Sequence, residues 1–276
     1  MKKINKILVG MLVVFSIIAC QKQNNDPYAS VGSGLSQHLI AAYYNVVGVE
    51  LVALKSEVVE PLPENAILNI VMVQKERGEG QVYYTPFYHK YYPSEDDFVV
   101  FAKKYNDLNY MDNVVLGNNN STQQAFGTFD LVALSDYNEN YPAGSSLNEI
   151  AMLTYATYAP FIDNGYSFPD NKMSEPEGDF KFQYMRDECF IYYERPLGDI
   201  TEMRMPCVAG LGGRNGSYQD KAVFAVISFK EMPNDPIQEF ELTVTQEDGT
   251  VLTDIETVDF DQIIEERNGW KEKGYI

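Results

Sequence analysis

Apolar residues recur along this chain at two periods. From Phe240 to Val258 the alternation is strict: Phe240, Leu242 and Val244 interleave with Glu239, Glu241, Thr243 and Thr245, and a second alternating run spans Thr250 to Val258. A period of two sends neighbouring side chains to opposite faces of a strand, one buried and one wet. Between the runs, Asp248-Gly249 supplies the positive φ that a tight turn needs, so the pattern predicts a β-hairpin. Lys221 to Lys230 is apolar on both alternations, as expected of a central strand covered on both sides. Ala41 to Leu54 and Ala66 to Gln74 are rich in Val, Ile and Leu, and Glu60-Pro61-Leu62-Pro63-Glu64 lies between them. A helix cannot cross that double proline, so two strands and a crossover are predicted.

Further strands are expected over Phe126 to Leu134, Ile150 to Tyr158, Phe180 to Tyr184, Glu188 to Glu194 and Glu202 to Val208. The aromatic segment Val82 to Tyr92 contains Pro86, which demotes it to an edge strand or an extended loop. Helical period is confined to two places. Ser94 with Asp97 three residues on forms a capping pattern, and Phe98, Phe101, Ala102 and Tyr105 follow at helical spacing, predicting a helix over Ser94 to Asn106. A short amphipathic helix is expected over Asp259 to Glu266. The reading is mainly β over residues 37–268, with a tail at 269–276. The Pro- and Gly-bearing stretch 166–179 is a candidate subdomain boundary.

The first twenty residues follow another logic. Lys2, Lys3 and Lys6 precede Ile7 to Ala19, thirteen apolar or small residues in the layout of a secretory signal. At 1.5 Å per residue they reach roughly 20 Å, too short for a bilayer core of about 30 Å. Ile17-Ile18-Ala19-Cys20 resembles a bacterial lipobox, in which the cysteine receives a diacylglycerol thioether. The expected organisation is a signal peptide over 1–19 and a lipidated Cys20 with a polar tether over 20–36. The two or three acyl chains of such a lipoprotein make membrane attachment effectively permanent.

Composition narrows the partners. Removing the signal takes three lysines and no acid, leaving 18 basic residues against 40 acidic ones, a net charge of −22. Such a surface repels phosphate backbones, so nucleic acid is excluded as a partner. Beyond Cys20 only Cys189 and Cys207 remain. An even pair in an exported chain is a candidate disulfide, and two buried thiols are the alternative.

Phe129-Asp130-Leu131-Val132-Ala133-Leu134-Ser135-Asp136-Tyr137, with Tyr141-Pro142-Ala143-Gly144-Ser145 after it, resembles the signature of a lipoprotein family of the phylum Bacteroidota. Phe240 to Gly249 is similar to that family's last hairpin. The resemblance implies an outer-membrane lipoprotein with an antiparallel, immunoglobulin-like β-sandwich body and one or two short helices. It brings no activity. Gln21-Lys22-Gln23-Asn24-Asn25 offers no acid before Asp26, which leaves the periplasmic and surface faces equally open.

Candidate chemistry is sparse. His38 and His89 are the only imidazoles, and no Gly-x-Ser-x-Gly elbow accompanies them, so no catalytic residue is assigned. Asp136-x-Asn138-x-Asn140 places three oxygen ligands at alternate positions, as a calcium loop opens, but Tyr141 and Leu147 stand where such a loop needs Gly and Glu. An Asx-rich turn before Pro142 is the competing explanation. Gly210 to Gly216 lacks the Gly-Lys-Ser/Thr ending of a phosphate loop. The aromatic run that includes Tyr84, Tyr88, Tyr91 and Tyr92 is a candidate glycan platform, since exposed rings stack on sugar faces; packing against the body is the alternative. A non-enzymatic, lipid-anchored binding or accessory module is therefore expected, its partner a glycan or another envelope protein, with glycan capture as the alternative and a glycan hydrolase behind it.

Overall fold

The computed structural model describes residues 38–54, 65–74, 82–83, 95–110, 119–167, 190–208 and 221–272. The chain is mainly β and its large sheets are antiparallel. In chain order the elements are β1 (Ala42–Tyr44), β2 (Val46–Ala53), β3 (Ala66–Gln74), β4 (Val82–Tyr83), α1 (Glu95–Lys104), β5 (Asn120–Thr122), β6 (Phe126–Ala133), β7 (Ala151–Thr157), α2 (Ala159–Asp163), β8 (Ile191–Pro196), a 3-10 turn (Leu197–Asp199), β9 (Lys221–Phe229), β10 (Ile237–Gln246), β11 (Val251–Asp259) and α3 (Phe260–Glu272).

A five-stranded sheet in the order β2-β3-β9-β7-β8 packs against a three-stranded sheet in the order β11-β10-β6. Both inner faces are apolar because the strands alternate: Phe240, Leu242 and Val244 of β10 are fully buried, Glu241 and Thr243 between them are half-buried, and Glu239 before them is exposed. Rings tie the sheets together at both ends, with Phe126 stacked on Phe224 at 4.7 Å and Phe229 on Phe240 at 5.6 Å. Each such ring buried contributes about 1.5–3 kcal/mol. Central strand β9, expected to be covered on both faces, is buried from Phe224 to Phe229.

Each edge of the small sheet is closed. The Asp254 carboxylate of β11 accepts the Leu51 N–H of β2 at 2.7 Å, satisfying a donor on the edge of the larger sheet. On the other edge, Asn148 acts as a strand in miniature: its Oδ1 accepts the Leu131 N–H at 3.0 Å and its Nδ2 donates to the Phe129 carbonyl at 3.3 Å. Covering an edge in this way removes a template for unwanted pairing. Within the sheet, close approach favours Gly127, since a Cβ there would lie 3.1 Å from the Thr245 carbonyl oxygen.

The hairpin predicted around Asp248-Gly249 forms with a three-residue loop. Gln246 and Thr250 bracket it, and Gly249 takes φ +85°. That is the geometry of a type I turn followed by a left-handed residue.

Four expectations change. The single strand over Ala41 to Leu54 divides at Asn45 into β1 and β2, which belong to different sheets. Glu202 to Val208 is no strand; it makes only isolated bridges, Met203 to Phe126 and Pro206 to Thr157. Met205 takes φ +50°, which breaks an extended run, and Pro206 has no N–H to offer a ladder. A short helix, α2, follows β7 with Pro160 in its first turn. The terminal helix continues to Glu272, past residue 266 and into the stretch assigned to the tail, and with it the described residues hold three helices.

A further three-stranded sheet, in the order β4-β1-β5, gives Tyr43 to a second apolar cluster. Leu39, Ile40, Tyr43, Phe98, Ala102, Tyr105, Tyr158, Phe161, Ile162, Phe190, Met205 and Cys207 pack together at the end of the sandwich where β2 begins and β7 ends. Gln246 Nε2 also reaches the Val46 carbonyl there at 3.5 Å. At the opposite end lie α3, the loop after β6 and the loop after β9.

Candidate functional site

The loop from Ser135 to Ser146 carries the Asp136, Asn138 and Asn140 set, and its side chains are occupied with building the loop. Asn138 Oδ1 accepts the N–H groups of Asn140 at 2.9 Å and Tyr141 at 3.2 Å, an Asx turn. Asp136 Oδ1 accepts the Ala143 N–H at 2.8 Å. Beneath them Tyr137 is fully buried against Phe229, Phe240 and Phe260, and its hydroxyl donates to the Glu231 carbonyl at 2.7 Å. Burial, then the Glu231 charge, raises its pKa, so the phenol stays a donor. Asn138 Nδ2 donates to Glu231 Oε2 at 3.2 Å, and the Asn234 N–H to the Tyr137 carbonyl at 2.8 Å.

The two loops therefore form one braced surface at the end of the sandwich away from His38. Asp136, Glu139 and Asn140 are exposed there, with Met232 and Ile237 beside them at 43% and 57% exposure. A loop held so firmly on a rigid scaffold is suited to recognition. No cluster of three or more His, Cys, Asp or Glu residues able to hold a metal ion occurs among the described residues.

The remaining predicted sites fall elsewhere. Cys20, Tyr84, Tyr88, Tyr91, Tyr92 and Cys189 lie outside the described residues. Cys207 is fully buried, and its thiol donates to the Tyr158 hydroxyl at 3.1 Å.

The sequence pattern does not single out Asp107, a carboxylate that is fully buried. Its carboxylate accepts the N–H groups of Leu39 at 2.8 Å and Ile40 at 3.0 Å and the Tyr166 hydroxyl at 3.0 Å. Its carbonyl accepts a hydrogen bond from His38 Nδ1. Burial raises the Asp107 pKa, and the Leu39 and Ile40 donors, His38 and Tyr166 hold part of that rise down. Tyr43, buried beside it, is raised by burial first and by the Asp107 charge second. Asp107, His38 and Tyr43 are buried, and Tyr166, half-buried, closes the cluster toward solvent.

Two helix ends bring Asp107 and Tyr166 together. After α1, Asn106 takes φ +57° while the Asp107 N–H bonds the Ala102 carbonyl and the Asn106 N–H that of Lys103. After α2, Gly165 takes φ +67° while the Tyr166 N–H bonds the Phe161 carbonyl and the Gly165 N–H that of Ile162. Both are Schellman caps, and the residue just past the left-handed position supplies the side chain in each. Asn106-Asp107 and Asn164-Gly165-Tyr166 were the available sequence signals.

No protein-family model matches the chain, and neither a curated protein nor a solved structure matches it. Among the described residues no helix is long and apolar enough to cross a membrane.

Proposed function

We propose that the chain is a lipid-anchored outer-membrane lipoprotein of the cell envelope, whose β-sandwich serves as a non-enzymatic binding or accessory module. The observation that carries this reading is Ile17-Ile18-Ala19-Cys20 after a short apolar run and before a polar tether. The braced loop of Asp136 to Ala143 supports it as the recognition surface, because the end of the sandwich that holds His38 is the one joined to the tether. Its partner is a glycan or another envelope protein. The likeness to a Bacteroidota lipoprotein family rests on the motif residues alone and agrees with an envelope location.

Metabolic labelling with a palmitate analogue tests the anchor. The wild-type chain takes up label and sediments with membranes, while Cys20→Ser does neither; equal labelling of the two sinks the reading. Turnover of a glycan or peptide panel by the purified protein, abolished by one Asp or Glu substitution, would make it an enzyme instead. Glycan capture through Tyr84, Tyr88, Tyr91 and Tyr92 is the second reading, favoured by the density of that aromatic run. It requires Tyr88→Ala and Tyr91→Ala to weaken retention on a polysaccharide affinity gel.

A further inference from the structure

We propose that the outer face of the sheet β11-β10-β6 is a docking surface for a basic amphipathic segment of another protein. This rests on the reading of the sandwich as a binding module and names the chemistry of its partner. Phe240, Leu242 and Val244 turn inward, so Glu239, Glu241, Thr243 and Thr245 turn outward, and the register carries that pattern across the sheet. Ile255 lies opposite Glu241 and Glu241 opposite Val132; in the next row Thr253 lies opposite Thr243 and Thr243 opposite Asp130. Along β11, Val251, Thr253, Ile255 and Thr257 are exposed. The face meets the braced loop at Ser135, whose hydroxyl accepts the Glu239 N–H at 3.2 Å.

Shape and charge choose the occupant. Among the described residues six large apolar side chains stand exposed, and four of them, Met232, Ile237, Val251 and Ile255, lie on this sheet or in the loop leading into β10. Single exposed apolar residues are ordinary, whereas a concentration on one face marks an interaction site. β6, β10 and β11 hold no Lys or Arg, and among the described residues no cation pairs with Glu239 or Glu241. Both carboxylates project from one face of β10, so a cation brought between them relieves their repulsion. No ring is offered to a sugar, because Phe126, Phe129 and Phe240 of these strands are buried. A second copy would set acid against acid, in a chain whose net charge is −19. Three strands about 4.8 Å apart, the outermost nine residues long at about 3.4 Å each, give roughly 10–15 Å by 30 Å, the footprint of a segment rather than of a whole domain. Lys or Arg of that segment meets Glu239 and Glu241 while its aliphatic side chains cover Val251 and Ile255.

Fluorescence anisotropy of a labelled amphipathic Lys/Leu peptide, titrated with the full chain at physiological salt, decides the matter. Wild type binds it and does not bind the same peptide with Glu in place of Lys. Glu239→Gln combined with Glu241→Gln weakens binding about tenfold. Ile255→Thr, which keeps a β-branched residue and removes apolar surface, weakens it about threefold. Asp97→Asn combined with Glu202→Gln removes the same charge from exposed positions off this face and leaves binding within about twofold of wild type. Equal loss in the two double variants overturns the proposal, since the attraction is then to the acidic chain as a whole, and so does a wild type that does not bind. Retention on a neutral polysaccharide gel that Ile255→Thr abolishes makes the face a glycan site, and a dimer in sedimentation that Ile255→Thr dissolves makes it a self-contact; either result overturns it too. Palmitate labelling at Cys20 reports on the anchor independently, so the two readings fail separately.

Discussion

The sandwich core and the cluster around Asp107 are built on opposite principles. Between the sheets the buried surface is almost wholly apolar, and long strands meet in continuous register, β10 with β11 over nine paired positions. Around Asp107 the strands are two or three residues long, and a buried carboxylate organises backbone donors, a tyrosine and two helix caps. The first region is held by area, which is non-directional and forgiving of detail. The second is held by geometry, where one missing acceptor strands several donors. Damage to the sandwich should therefore spread through the whole domain, and damage at Asp107 should stay local.

The largest expected effect is on the sandwich side. Phe224→Ala empties one side of the Phe126 stack and should destabilise the domain by about 3–5 kcal/mol. Denaturant titration should show the midpoint falling with every probe together; a loss confined to the Asp107 region would erase the contrast. Next is the seam. Asp254→Ala leaves the Leu51 N–H without its acceptor and should cost about 1–3 kcal/mol. It also unblocks an edge, so light scattering should detect more self-association than in wild type.

A smaller effect is expected at the hairpin turn. Gly249→Ala forces a side chain into φ +85° and should cost about 1–2 kcal/mol by thermal melting, with space to spare around the new methyl. An unchanged melting temperature would mean that the turn adapts more easily than the strands it joins.

The finest comparison is with pH. Asp107 has its folded-state pKa raised, chiefly by burial, so its contribution to stability is fully present below the unfolded value and is lost as pH climbs through the folded one. His38 faces it from just before β1, Tyr43 from β1 and Tyr166 from the turn after α2, with Tyr105 of the α1 cap beside Tyr43. The melting temperature of the wild type relative to Asp107→Asn should therefore fall as pH rises out of the ordinary carboxylate range. A difference that stays flat, or grows with pH, contradicts a carboxylate disfavoured by burial.

Legibility followed the same divide. Strict alternation in β10 and β11, the two-sided apolar run of β9 and the helical spacing of α1 were all readable, because each reports burial of a regular element against one or two layers. The division at Asn45 was not, since Ala41 to Leu54 is apolar throughout and the pattern cannot say that Tyr43 and Val49 enter different cores. Glu202 to Val208 looked extended by composition, yet Met205 in the left-handed region and Pro206 without a donor confine it to bridges. In the candidate site, the Asx oxygens of Asp136 and Asn138 were legible as ligands or as turn formers, and contacts with Ala143, Asn140 and Tyr141 show them forming the loop.

By itself the sequence determined that the chain is mainly β, that a hairpin closes at Asp248-Gly249, that one helix begins near Ser94, and that the surface is strongly acidic. These are local properties: period, turn chemistry and charge act over a few residues, so they survive without knowledge of the partner element. Only the tertiary structure decided which strands share a sheet, where Asp254 meets Leu51, and that Asp107, sixty-eight positions from Leu39, becomes its acceptor. Those contacts depend on residues far apart in the chain, and a lone aspartate after a helix looks the same whether it ends in water or at the centre of a core.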